Sequence, residues 1–257
     1  MAEIIFFGNG PLADYARAAL EPHHQIVAHI HTVNDLASVP SIKKAHPQAY
    51  GVLASFGVLI KSDILELFDP IGILNIHPSK LPFYRGASPI EAAILAGDQD
   101  FSVSIMQLVA AMDAGPVYHQ ITLHLPDAAK AELYQKLATA GAEWLAQNLE
   151  HLPTPRPQDN SQATFCGKLN PTMSLLAPES KTALELHNQV RAFQGYPKSR
   201  YTFFEKDCII LDTHIANSAE HSLSLQCQDG QFLVIDQLQP AGKKPMDAKS
   251  FLNGYAK

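Results

Sequence analysis

Four short apolar runs in the first third of the chain limit what it can fold into. Ile4-Ile5-Phe6-Phe7, Ile26-Val27-Ala28-His29-Ile30, Tyr50-Gly51-Val52-Leu53-Ala54 and Ile71-Gly72-Ile73-Leu74 show little polar alternation, and segments between them place apolar residues at helical spacing. A strand without a polar face is covered on both sides, and parallel strands need a crossover between them. The order therefore predicts an α/β fold: a doubly wound, mostly parallel sheet with helices on both faces. Helices are expected at 12–20, at 61–68 before Pro70, at 89–96 before Gly97, and at 128–149. Residues 102–108 and 117–123 read as two further strands around the turn Met112-Asp113-Ala114-Gly115-Pro116.

The pattern changes at His151-Leu152-Pro153-Thr154-Pro155-Arg156-Pro157, where prolines and polar residues replace apolar periodicity. Residues 152–162 read as a semi-rigid linker between a catalytic domain at 1–151 and a second domain at 163–257. Beyond it a helix is expected at 181–193, with Ser180 in its cap region, and then short strands at 200–204, 208–211, 223–227 and 232–238. Asp247 is placed to cap a last short helix. The second domain is thus expected to be small, mostly β and barrel-like.

Composition excludes several classes. At 257 residues and 46% hydrophobic, with no apolar run near the roughly 18 residues of a membrane span and no basic segment leading into an apolar one at the start, a cytoplasmic protein with no membrane partner is expected. Cys166, Cys208 and Cys227 are odd in number and form no C-x-x-C pair, which speaks against disulfides and cysteine zinc sites. His29-x-His31 and His23-His24 lack partners at ligand spacing, so no metal is expected. Gly8-x-Gly10-x-x-Ala13 imitates a dinucleotide fingerprint, but the next strand runs into His31 where an acidic ribose ligand belongs, leaving a tight turn as the better reading. Residues 1–151 hold 8 Lys and Arg against 15 Asp and Glu, a balance of −7, whereas residues 152–257 hold 11 against 10, a balance of +1. The second part permits a polyanionic partner without demanding one.

Chemistry concentrates where the fourth apolar run stops. Asn75 and His77 sit two apart at its carboxyl end, so strand alternation puts both on one face, and in doubly wound sheets ligands lie beyond the carboxyl ends of the strands. An amide donor beside an imidazole can polarise a carbonyl whose carbon becomes tetrahedral, and a carboxylate is needed to orient the imidazole. Asp113, flanked by Ala114 and Gly115, is the best-placed carboxylate. The three suggest acyl transfer to an amine, with no Ser or Cys nucleophile in a suitable elbow. Taken singly, a histidine at a strand end and an aspartate in a turn are ordinary structural residues.

The run from Asn75-Ile76-His77-Pro78-Ser79-Lys80-Leu81-Pro82 through Phe83-Tyr84-Arg85-Gly86-Ala87-Ser88-Pro89, with Ile105-Met106-Gln107 and Met112-Asp113-Ala114-Gly115, resembles the 10-formyltetrahydrofolate-dependent formyltransferases. Phe165-Cys166-Gly167-Lys168-Leu169, Val190-Arg191-Ala192-Phe193 and Leu238-Gln239-Pro240-Ala241-Gly242-Lys243-Lys244-Pro245-Met246 are similar to the branch that formylates methionyl initiator tRNA. The resemblance implies Asn75, His77 and Asp113 as the catalytic set; the mechanism expected from them has Asn75 and protonated His77 hold the oxyanion while Asp113 orients His77 and helps remove the amine proton. It implies a folate site from Ser79, Lys80, Leu81 and Pro82 together with Phe56, Gly57, Leu59 and Ile60 around Val58. Folate is then the formyl donor, and initiator tRNA the partner. Phosphate contacts are expected from Arg85, Lys168, Arg191, Lys198, Arg200, Lys243 and Lys244, in a protein acting as a monomer. The chain departs from that family after the second strand, where only residues 31–49 with Lys43-Lys44 stand in place of a longer basic insertion. A formyltransferase for an amino sugar nucleotide and a non-catalytic folate or RNA binder stay open beside this reading.

Overall fold

The computed structural model describes residues 1–256. One compact unit comprises Met1–Ile90 and Gln99–Gly167, and a second comprises Glu91–Asp98 with the chain from Lys168 onward. The expected alternation is present as β1 (Glu3–Phe7), α1 (Gly10–Leu20), β2 (Gln25–Ile30), α2 (Val39–Ala45), β3 (Tyr50–Leu53), α3 (Ser62–Leu65) and β4 (Ile73–His77). A two-residue strand β5 (Arg85–Gly86), α4 (Pro89–Ala96), β6 (Asp100–Gln107), β7 (Val117–His124), α5 (Lys130–Asn148) and a second two-residue strand β8 (Phe165–Cys166) follow.

The sheet of the first unit runs in the order β2-β1-β3-β4-β6-β7. Its first four strands are parallel, while β6 runs antiparallel to β4, and β7 antiparallel to β6. Ile4, Ile5, Phe6 and Phe7 are completely buried, as both-face coverage of a central strand requires. Ile5 and Phe7 enter a cluster with Phe56, Phe68 and Ile73, where each large side chain contributes roughly 1.5–3 kcal/mol by leaving water. On the opposite face α5 packs over Ile76 and Val103 and alongside α1. The segment expected to be a linker is bound to this unit: Arg156 and Val117 exchange both backbone hydrogen bonds at 2.8 Å.

The second unit holds α6 (Ala183–Ala192), β9 (Ser199–Phe203), β10 (Lys206–Ala216), β11 (Ser224–Gln226), β12 (Phe232–Pro240), β13 (Met246–Asp247) and α7 (Ala248–Tyr255). The strands form an antiparallel sheet, β11-β12-β10-β9, with β13 also paired to β12, so the expected barrel is a curled half-barrel. Leu186, Val190, Ile210, Leu233, Leu238 and Phe251 fill its core. The cap of α6 is Thr182 and not Ser180. The Thr182 hydroxyl accepts from the Glu185 amide at 3.2 Å while the Glu185 carboxylate accepts from the Thr182 amide at 2.8 Å. Asp247 caps α7 as expected, accepting from the Ser250 amide at 2.7 Å.

Candidate active site

β4 carries Asn75 and His77 on the face that alternation assigns them, about 7 Å apart along the strand. Both are nearly buried, at 5% exposed each. Among the described residues no hydrogen bond engages the Asn75 carboxamide, which leaves its two donors and its oxygen for another molecule. His77 Nε2 lies 3.3 Å from the Tyr84 carbonyl oxygen, and Nδ1 lies 3.7 Å from Asp113 Oδ1. Burial pushes the His77 pKa below its ordinary value; Asp113 and the Tyr84 carbonyl oppose this, and Arg85 adds to it. Burial therefore favours the neutral imidazole, against the protonated form expected for His77, while Asp113 favours the charged one. With Nε2 carrying its hydrogen toward Tyr84, the Nδ1 lone pair faces the Asp113 carboxylate, and the pair is arranged to accept one proton.

Asp113 sits at φ 46°, in the left-handed region. Its Oδ2 accepts from the Gly86 amide at 2.8 Å. Gly86 has φ +123°, and a side chain there would bring Cβ to 2.1 Å from the Cys166 carbonyl across the β5–β8 pair, so only glycine fits. Gly115 is equally constrained, since a Cβ would lie 1.8 Å from the Gln107 carbonyl oxygen. Two close backbone approaches thus bring the Asp113 turn to the strand end where His77 lies.

The 79–82 loop is pinned from below. Ser79 Oγ donates to Phe83 O at 2.7 Å, Ser104 Oγ donates to Ser79 O at 2.6 Å, and the Leu81 amide donates to Ser104 Oγ at 3.2 Å. Gln120 Nε2 reaches Leu81 O at 2.8 Å. Ser104 and Gln120 are frame residues that sequence reasoning missed, because nothing in their spacing links them to the loop. Within the loop Lys80 is exposed, Leu81 buried and Pro82 half-buried. Phe56 and Ile60 belong to the core, with Phe56 edge-on to Phe7 at 6.0 Å between ring centres. They anchor the 56–60 loop, whose Gly57 and Leu59 face solvent.

The expected phosphate contacts divide. Arg85 is buried at 4% exposed, and its guanidinium donates to Gln158 Oε1 at 3.1 and 2.6 Å and to Asn160 Oδ1 at 2.7 Å, so it serves the interior of the first unit. That corrects the expectation of Arg85 as a phosphate contact. Lys168, Lys198, Lys243 and Lys244 are exposed. Arg191 donates to Asn188 Oδ1 at 3.1 Å, and Arg200 pairs with Asp207 at 2.9 Å. The Ala241 amide donates to Asp207 O at 3.0 Å, so the Lys243-Lys244 turn and the Asp207 end of the β9–β10 hairpin lie side by side. After β2, Lys43 donates to Pro47 O at 3.0 Å and Ala49 O at 2.6 Å and covers the Phe68 ring; Lys44 is exposed. Among the described residues no helix is long and apolar enough to cross a membrane, and no group of three or more His, Cys, Asp or Glu could hold a metal ion. A cavity of about 400 Å³ lined by Tyr50, Ile71, Tyr118 and His151 opens at the amino ends of the parallel strands, remote from His77.

Residues 21–149 match the family model described as formyl transferase, and residues 180–256 match the model described as formyl transferase, C-terminal domain. This chain belongs to the formyl transferase family. A methionyl-tRNA formyltransferase of Roseiflexus castenholzii is 34% identical over 87% of this chain and 75% of its own length. Among solved structures, HypX from Aquifex aeolicus in complex with tetrahydrofolic acid superposes with a TM-score of 0.74 at 16% identity. That match covers 100% of this chain and 48% of the HypX chain, so the protein spans about half of HypX. The N-formyltransferase from Helicobacter canadensis, in complex with folinic acid and dTDP-3-aminofucose, superposes with a TM-score of 0.69 at 18% identity over 93% of this chain and 100% of that one. The family is catalytic, and the shared fold covers both units.

Proposed function

We propose that this protein transfers the formyl group of 10-formyltetrahydrofolate to the α-amine of methionyl initiator tRNA. The observation that carries the reading is the constellation of buried Asn75 and His77 with the partly buried Asp113, within a chain that matches a methionyl-tRNA formyltransferase over 87% of its length. The amine attacks the formyl carbon, and its carbonyl oxygen becomes an oxyanion that accepts from the otherwise unengaged Asn75 amide. The proton lost from the amine passes to the His77–Asp113 pair, whose carboxylate stabilises the imidazolium as it forms. Collapse of the tetrahedral intermediate expels the folate nitrogen, which takes up a proton. The 79–82 loop, held by Ser104 and Gln120, and the exposed part of the 56–60 loop would receive the folate. Lys168, Lys198, Lys243 and Lys244 are the proposed phosphate contacts.

The engagement of Lys43 by two carbonyls favours a second reading, in which the acceptor is the amine of an amino sugar nucleotide and an extended tRNA interface is not needed. Both amines should be offered in parallel with 10-formyltetrahydrofolate. Formylmethionyl-tRNA as the main product supports the first reading, and a formylated sugar alone replaces it with the second. If neither amine is formylated while the folate binds, the catalytic reading fails.

A further inference from the structure

Gln158 lies in the segment between α5 and β8 and closes a circuit of bonds around Asp113. Its Nε2 donates to Asp113 O at 2.8 Å and to Gly115 O at 2.7 Å, bridging two carbonyls of the turn. Its Oε1 accepts from Arg85 Nε and Nη2. An arginine only donates and a carbonyl only accepts, so this orientation of the carboxamide is fixed by its partners. Arg85 is followed by Gly86, whose amide donates to Asp113 Oδ2, and the circuit returns to its start. Backbone bonds between Arg156 and Val117 hold the segment two residues upstream, and the buried Arg85 is also tied to Asn160 two residues downstream. The circuit carries a turn that needs support, because a non-glycine residue in the left-handed region persists only where the surroundings hold it there.

We infer that Gln158 is a positioning residue for the transfer reaction: it holds the 113–115 turn so that the Asp113 carboxylate faces His77. The inference rests on the formyl transfer reading for its effect on turnover, though the bracket itself is a property of the fold. A carboxylate at 158 would keep the bond to Arg85 while losing both donors to the turn. Substituting that side chain frees Asp113 without removing it.

Gln158→Glu in the full chain tests this, with transfer kinetics and amide exchange by NMR measured on the same preparation. The kcat should fall about 100-fold through misplacement of Asp113, with KM for 10-formyltetrahydrofolate within about 2-fold of the parent. Combined with Asp113→Asn, the same substitution should cost less than about 2-fold more, since a group acting through Asp113 has nothing left to position. The Gly86 amide should exchange about tenfold faster, while the Ile105 amide in β6 keeps its rate. A full additional loss in the Asp113→Asn background, or an unchanged Gly86 exchange rate, overturns the inference. Gln158→Met, which adds no charge, carries the same measurements if the Glu variant does not fold. Should the parent formylate neither amine, the formyl transfer reading falls, and Gly86 exchange still decides whether Gln158 holds the turn.

Discussion

Burial sets the ionisation of His77 before any substrate arrives, and this shapes how the protein should respond to pH. Desolvation lowers its pKa below 6.5, with Asp113 pulling the other way. The neutral form accepts the amine proton, so kcat should stay level across neutral pH and fall only as pH drops through that lowered value. Asp113→Asn removes the charge that raises the pKa. The acid limb of the kcat profile should therefore move to lower pH while kcat falls about 10²–10⁴-fold; a limb moving upward would remove Asp113 from the neighbourhood that matters. Asn75→Ala should lower kcat about 10²–10³-fold with little change in the thermal midpoint, because the carboxamide has no hydrogen bond among the described residues to lose. A large fall in midpoint would assign Asn75 to the frame. These three side chains were legible in the sequence, since polar residues at the end of an apolar run and in a glycine-flanked turn stand out. Gln158 was not, because it lies in a segment without periodicity and its partners are 43 to 73 positions away. Arg85 was expected to contact phosphate because charge alone says nothing about burial.

At the level of elements, the apolar runs located β1 to β3 to within a residue and β4 to within three, and the direction of β6 and β7 had to come from the structure. The α6 cap shows a rule misapplied: Thr182-x-x-Glu185 is a capping box in the sequence, whereas the residue three after Ser180 is Ala183, which cannot reciprocate. Thr182→Ala should cost about 0.5–2 kcal/mol in urea unfolding, and a smaller change would show that Asp229, which also meets the Ala183 amide, suffices as a cap. The β5–β8 pair, at two residues a strand, is too short to be seen as a pattern, yet it carries Gly86 to Asp113. Gly86→Ala should destabilise the chain by at least about 1–3 kcal/mol and abolish transfer, measured by thermal unfolding and by initial rate. A variant of parental stability would mean that the pair can separate at no cost.

For the whole molecule, charge is divided as the sequence indicated, with the acidic balance in residues 1–151. If phosphates are held by the second unit, replacing Lys243 and Lys244 by alanine should weaken tRNA binding, and the slope of log affinity against log salt should become shallower by about 2. An unchanged slope would take both lysines out of contact. The amino-sugar nucleotide offers only a diphosphate, so a steep salt dependence would itself speak for the tRNA reading. The division into units has a different consequence, which belongs to the time of synthesis. Glu91–Asp98, most of α4, belongs to a unit whose remainder starts at Lys168, roughly 70 residues later. At about 5–20 residues per second this segment waits roughly 4–14 s on the ribosome before its partners exist. Ala93 and Ile94 are buried in the finished protein, and the contacts that group their segment with the second unit form only once the chain beyond Lys168 is made.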